Sequence, residues 1–392
     1  MLLEKIKSLA SKHENDLIEI RHHLHAHPEL SYHEYKTSEF VQSQLKSLGI
    51  PFSVVANTGV VGIIKGINPD AKIVALRADM DALPIQEENQ LPYTSQNAGV
   101  MHACGHDVHT TCLLGAARIL TELKDEWEGT IKLLFQPGEE RNPGGASLMI
   151  KDGALEKPRP SAIFGLHVHP GLQVGHFSFR GGKAMASADE IYITVKSKGG
   201  HAAAPQLTGD TILAASQMVA NLQQVVSRRN DPLNPTVLSI CSFNGGHTTN
   251  VIPSEVKLLG TFRAMDEEWR FKAHKLITQV CESVAALSGV EVDVHIDVGY
   301  PFLVNNEELT TKATRKAIEF AGSENVEETE LRMGAEDFAY YSHEIPACFF
   351  RLGVGNKEKG ITNNVHTARF NVDEKAIVAG AGMMAWIGAS CR

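Results

Sequence analysis

The sequence predicts an α/β protein: a mainly parallel sheet flanked by helices, interrupted by a smaller inserted α+β domain of ferredoxin-like pattern. Three observations carry that expectation. Short apolar runs alternate with helical patterns through the first 183 residues, polar clusters recur where the runs end, and the rhythm changes near residue 184. At 392 residues the chain also exceeds the usual size of one domain.

Taken in order, MLLEKIKSLASKHENDL mixes charge with apolar residues at helical spacing and has no uninterrupted apolar stretch, so it reads as a helix and not as a signal peptide. RHHLHAHPEL (21–30) closes a second amphipathic helix, which Pro28 stops. VVGIIKG (60–66) and KIVALRAD (72–79) read as buried strands, and CGHDVHTTCLLGAARILTELK (104–124) as an amphipathic helix. GTIKLLFQPGEE (129–140) is a strand running into a loop, and SAIFGLHVHP (161–170) repeats that layout. An open α/β sheet of this kind binds ligands beyond the carboxyl ends of its strands.

From residue 184 the order becomes strand (DEIYITVKSKG), helix (DTILAASQMVANLQQVVSRR), two strands (PTVLSICSFNGG, SEVKLLGTFRAM), helix (EEWRFKAHKLITQVCESVAALSG) and strand (VEVDVHIDVGY). That is the split βαβ pattern of a small ferredoxin-like domain. The expected division is therefore 1–183 with 299–392 as one α/β domain, and 184–298 as the insert.

Composition narrows the function classes. Hydrophobic residues at 43% and charged residues at 21% describe an ordinary globular protein. A net charge of −9 without a basic cluster gives no nucleic-acid footprint. No run of about twenty apolar residues offers a membrane span. The six cysteines, at 104, 112, 241, 281, 348 and 391, are scattered, which fits a reducing cytoplasm and thiols used for packing or ligation. GVGNKEKG (353–360) lacks the ending of a phosphate loop, and no G-x-S-x-G elbow is present.

Four polar clusters sit at or near expected strand ends: RADMDALP (77–84), MHACGHDVH (101–109), QPGEE (136–140) and GLHVHP (165–170). A fifth, NVHTARF (364–370), lies near the C-terminus. Each alone has a bland reading: a surface histidine, a solvated turn, a loop with an Asx cap. Together they converge on one rim of one sheet and offer a thiolate, carboxylates and imidazoles, the donors that suit zinc and neighbouring divalent ions. RHHLHAHPEL is the control. It holds four histidines, His22, His23, His25 and His27, but no thiolate or carboxylate pattern at a strand end, so these are assigned to structure or surface.

RHHLHAHPELSYHEYKT, RADMDALPI, MHACGHDVHT, FQPGEE, GLHVHP, GGHAAAP, TNVIP and MGAEDFAYY, in this order, resemble the M20 family of metallopeptidases. More narrowly they are similar to its aminoacylase and hippurate-hydrolase-like amidohydrolases, which include the plant indole-acetyl-amino-acid hydrolases. The resemblance spans nearly the whole chain. It implies a catalytic domain holding two divalent metal ions (zinc, manganese or nickel) and an inserted lid or dimerisation domain, hence a homodimer or homotetramer.

The resemblance makes Cys104 a ligand bridging the two ions, with His106, Glu140, His167 and His366 completing the set. Glu139 is then the general base and Asp81 its orienting neighbour. Wider members of the family have a histidine ligand where this chain reads Asp79, so Asp79 stays outside the set. His102, His109 and His169 are left to orient or pack. In the insert, His201 is implied to reach a partner's site and steady the developing oxyanion, with Asn250 on the substrate carbonyl and Arg263 on its free carboxylate. A solvated loop histidine and a surface-paired arginine are the alternatives for His201 and Arg263. The implied activity is cleavage of N-acyl-L-amino acids to a carboxylate and a free amino acid. Its rivals are a dipeptidase or carboxypeptidase of the same chemistry, and a non-catalytic binding protein; an unligated Glu139 argues against the last.

Overall fold

The computed structural model describes residues 1–391. The described chain divides into two compact units, Met1–Ala184 with Val304–Leu331 and residues 337–391, and Met185–Leu303 with Arg332–Glu336. The first carries an eight-stranded sheet in the order Phe52–Val55, Gly59–Lys65, Thr130–Gln136, Ile73–Asp79, Ala162–Gln173, Ala347–Gly355, Phe177–Phe179, Val326–Glu328. The central strands Thr130–Gln136, Ile73–Asp79, Ala162–Gln173 and Ala347–Gly355 run parallel, and antiparallel pairs lie toward both margins. Every residue of Thr130–Gln136 and Ala347–Gly355 is buried, as expected for strands covered on both faces.

Helix His106–Glu122 is buried along almost its whole length, so it can lie only inside the unit. Helix Lys375–Ser390 packs against it, and glycines set the approach. A Cβ on Gly115 would come 2.7 Å from Ala381, and one on Gly380 would come 2.5 Å from the Cys112 sulfur. The helix begins at His106, two residues later than its apolar pattern suggests, because Gly105 takes a left-handed φ of 87° as its N-cap. That turn leaves Cys104 on the loop and puts His106 first in the helix.

Strand Ala162–Gln173 runs past its predicted end at residue 170. Strand Ile73–Asp79 pairs with it only as far as Gly165, whereas Ala347–Gly355 stays paired beyond it. His167 therefore sits inside a strand, two residues beyond the reach of one neighbour.

In the second unit, strands Thr236–Asn244, Glu255–Ala264, Asp189–Lys196 and Glu291–Val298 form an antiparallel sheet in that spatial order. This is the split βαβ arrangement. Asp189–Lys196 alternates buried and outward residues, one face turned to the core it shares with helices Thr211–Arg229 and Glu267–Ser288. Asp210 and Asp266 cap the two helices, accepting from Ile212 and Leu213 and from Trp269. Residues 332–336 group with this unit, a return that no hydrophobic pattern announces: Met185 bridges to Arg332, and the Ala186 N–H is shared by the Arg332 and Gly334 carbonyls. No described helix is long and apolar enough to cross a membrane.

Candidate metal centre

The parallel strands deliver their polar ends to one rim of the first unit. Cys104 Sγ lies 3.4 Å from His167 Nε2, and His366 Nε2 lies 3.2 Å from Glu140 Oε1. Two triplets, Cys104–His106–His167 and Cys104–Glu140–His366, each bring their donor atoms within 4.8 Å of one another, and Cys104 is common to both. Glu139 falls in a third group, with His106 and Glu140, and in neither triplet. His366 reaches the cluster through a left-handed backbone (φ 62°) pinned by its N–H to the Ala103 carbonyl at 2.7 Å.

The side chains behind the cluster are saturated. Asp81 Oδ1 accepts the Glu139 N–H and Oδ2 the Glu140 N–H, both at 3.0 Å, and Ser31 donates to Oδ2 at 2.6 Å. His106 Nδ1 meets the Asp81 carbonyl at 2.8 Å, which aims Nε2 the other way. His167 Nδ1 donates to the Val168 carbonyl at 2.7 Å, which leaves Nε2 as a lone-pair donor.

At the front of the cluster, saturation stops. His106 Nε2 is buried without a hydrogen-bond partner, and Glu140 Oε1 has only the His366 ring at 3.2 Å, which is costly unless something else occupies them. Electrostatics point the same way. Burial, then Glu140, Glu139 and Asp79, push the Cys104 thiol well above its ordinary value. Burial alone would lower His106, yet Asp79, Asp81 and Glu140 raise it to about 10. Burial, with His109 and Arg351, keeps His167 well below its usual value and so neutral. A pocket that drives protons onto a thiol and an imidazole is short of positive charge, and a bound cation inverts both tendencies. The donor set of sulfur, imidazoles and a carboxylate fits divalent ions of the zinc type.

The sequence pattern of Peptidase family M20/M25/M40 matches residues 75–387. The chain belongs to this family. It is 40% identical to thermostable carboxypeptidase 2 of Saccharolobus solfataricus, over 97% of this chain and 96% of that protein. It is 41% identical to IAA-amino acid hydrolase ILR1-like 5 of Arabidopsis thaliana (94% and 85% covered). With N-acetyl-L-cysteine deacetylase of Bacillus subtilis it shares 40% identity, covering 93% and 85%. Among solved structures, the Bacillus subtilis YXEP protein, described as a dinuclear metal binding peptidase of the M20 family, superposes with a TM-score of 0.83. That likeness comes at 33% identity and covers 97% of this chain and 98% of the other. The chain is accordingly a metal-dependent amidohydrolase of the M20 family.

As an M20 chain it keeps Asp79 and His109 together, but not as donors to the rim. His109 Nδ1 donates to Asp79 Oδ1 at 2.6 Å and its Nε2 accepts the Val168 N–H at 2.9 Å, so both nitrogens are used. Asp79 also receives Arg77 at 2.5 Å, and Arg77 reaches on to Asp337 at 2.7 Å. Asp337, in MGAEDFAYY, further accepts from Gln136 and from the Ala146 N–H at 2.9 Å. Sequence reasoning assigned this aspartate no role, because only three-dimensional packing puts it under the strand ends. Of the two roles left open for His102, orienting or packing, its burial with neither ring nitrogen bonded agrees with packing.

The remaining candidates lie in the second unit. The short ladder Gly200–His201 with Val251–Ile252 brings His201 beside Asn250, whose carbonyl accepts the Ala202 N–H at 3.0 Å. His201 is exposed, and its Nδ1 accepts the Ala203 N–H at 3.1 Å. The neutral ring then carries its proton on Nε2. Arg263 is half-buried, donates from Nε to Thr261 at 3.1 Å and forms no ion pair among the described residues.

Proposed function

We propose that the chain hydrolyses N-acyl-L-amino acids, with acetyl, benzoyl or a similar acyl group, to a carboxylate and a free amino acid. One observation carries the reading: two donor triplets share Cys104, while Glu139 stands beside them and belongs to neither. Cys104, His106 and His167 would hold one divalent ion and Cys104, Glu140 and His366 a second, with zinc, manganese and nickel as candidates. When bound, such a pair lowers the pKa of water from about 15.7 toward about 7 and draws charge from the scissile carbonyl.

The chain's own groups do the rest. Glu139 takes a proton from the attacking water as its oxygen adds to the carbonyl carbon, and returns it to the nitrogen as the C–N bond breaks. Asp81 fixes the Glu139 and Glu140 backbone and the His106 ring. His201, carrying its proton on Nε2, donates to the oxygen that gains charge. Arg263, with guanidinium donors to spare, takes the free carboxylate of the amino acid, and Asn250 the carbonyl.

Glu139→Gln should retain metal, measured by elemental analysis, and lose about 10²–10⁴-fold in kcat. Near wild-type turnover in that variant refutes the mechanism. The insert (184–298) is proposed to join two chains, so that His201 of one serves the site of the other. A variant made monomeric by charged substitutions on the insert should bind metal normally and lose most activity; a fully active monomer overturns the shared site.

A carboxypeptidase or dipeptidase is the second reading, favoured by the 40% identity with the Saccharolobus solfataricus carboxypeptidase. N-acetyl-Met, hippurate and dipeptides assayed side by side on zinc-, manganese- and nickel-loaded protein separate the two. A preference for dipeptides decides for the rival.

A further inference from the structure

The segment SYHE, residues 31–34, has no part in the chemistry above, yet two of its side chains reach the loop that carries Glu139 and Glu140, and a third reaches Asp81 behind it. Ser31 donates to Asp81 Oδ2 at 2.6 Å. Glu34 is fully buried, and its Oε1 accepts the Gly138 and Tyr32 N–H groups, both at 2.8 Å, while Thr58 donates to Oε2 at 2.9 Å. The Tyr32 hydroxyl donates to the Arg141 carbonyl and accepts the Gly144 N–H at 3.0 Å. The Tyr32 ring lies against the loop, since a Cβ on Gly138 would fall 2.3 Å from its Cε1.

Consecutive backbone N–H groups at 138, 139 and 140 therefore all end on carboxylates, Gly138 on Glu34 and the next two on Asp81. At these three positions the loop has no free donor with which to drift toward water. Tyr32 holds its place with φ at 68°, the left-handed region that a non-glycine residue enters only at a cost. Two strained or left-handed positions, Tyr32 and Gly138 (φ 56°), thus face each other across one contact.

We propose that Glu34 and Tyr32 form a brace that positions Glu139: Glu34 fixes the N-terminal side of the 138–144 loop and Tyr32 its C-terminal side. They are positioning residues, because neither is among the grouped donor atoms of the cluster. The inference rests on the role given to Glu139 above and adds what aims that carboxylate. Glu34 Oε1 can accept both amides whether or not Oε2 carries a proton, so a glutamine should serve nearly as well as a glutamate.

The test uses full-length protein saturated with zinc. In Glu34→Ala, metal content and KM should hold while kcat falls about 10–100-fold, the penalty of a carboxylate displaced by about an ångström. Amide hydrogen exchange in a peptide covering 137–145 should quicken in parallel. Glu34→Gln should restore both readouts. Tyr32→Phe, which keeps the ring and deletes the hydroxyl, should quicken exchange at Gly144 with a smaller loss of kcat. Unchanged loop exchange in Glu34→Ala overturns the brace, and so does a kcat loss that glutamine fails to rescue. The exchange measurement needs no substrate. It judges the brace even where N-acyl amino acids prove to be the wrong substrates or Glu139→Gln stays active.

Discussion

Two stretches of this chain are rich in histidine, and folding brings them to opposite chemical states. In the helix Glu14–Ala26, His25 is buried with both nitrogens engaged, by Asp107 at 2.9 Å and Glu87 at 3.1 Å. His22 meets Glu374 at 2.6 Å and stacks on Tyr93, and His27 bonds the His23 carbonyl at 2.7 Å. Arg21 completes that network, paired with Asp107 and Glu374. On the strand-end rim, by contrast, His106 has one nitrogen fixed and the other buried and unbonded. Asp107 and His106 are adjacent in sequence, yet the carboxylate turns back into the first network and the imidazole turns toward Cys104. The first stretch even holds the larger number of histidines, four in residues 21–30 against three in residues 101–109. What differs is that at the rim an unbonded buried nitrogen, His106 Nε2, lies within reach of a thiol and carboxylates that could hold a cation with it.

The largest effect that can break this contrast comes from metal binding. Protein stripped with a chelator and then given zinc at about a hundredfold over Kd should gain about 3 kcal/mol in stability, because the ion binds only the folded chain. His106→Ala should abolish most of that gain, along with activity. A thermal shift on zinc addition that is equal in His106→Ala and wild type removes the imidazole from the ligand set.

His25→Ala should have the converse signature. It leaves Asp107 and Glu87 facing a space without their shared donor, at a cost of about 3 kcal/mol in folding stability, since one member of a buried ionic set has been deleted. Zinc should still add its full increment, read by chemical denaturation with and without the ion. Loss of the zinc increment in this variant joins the two histidine regions into one site and ends the distinction drawn between them.

The sequence made visible those features that depend on residue type at a chain position. Apolar runs marked the strands of the first unit, and the strand-helix-strand-strand-helix-strand order marked those of the second. That polar clusters gather on one rim was legible because a parallel sheet brings its strand ends together, whatever their separation along the chain; the five particular donors came from the resemblance to the M20 family. Backbone-mediated contacts left no such trace. Glu34 and Tyr32 act on N–H and C=O groups of the 138–144 loop, and any residue type can supply those. The left-handed turn at His366 and the return of residues 332–336 to the second unit are equally silent, since both are set by hydrogen bonds to main-chain carbonyls. Which histidine is saturated is likewise a property of neighbours such as Glu87 and Glu374, which lie far off in sequence.

The smallest effect should come from His22. Its side chain is one-third exposed and its partner Glu374 slightly over one-quarter, so the pair is bathed by water that screens it. Arg21 already neutralises Glu374 from the buried side at 2.8 Å, which leaves the imidazole little to add. His22→Ala should therefore change folding stability by no more than about 1 kcal/mol, part of it from lost stacking on Tyr93. Metal stoichiometry and kcat should equal those of the wild type. Measured beside His25→Ala, three residues along the same helix, it calibrates what a histidine in this run contributes when it is not buried. A loss of bound metal on replacing this exposed ring would show that the two histidine regions are not separate.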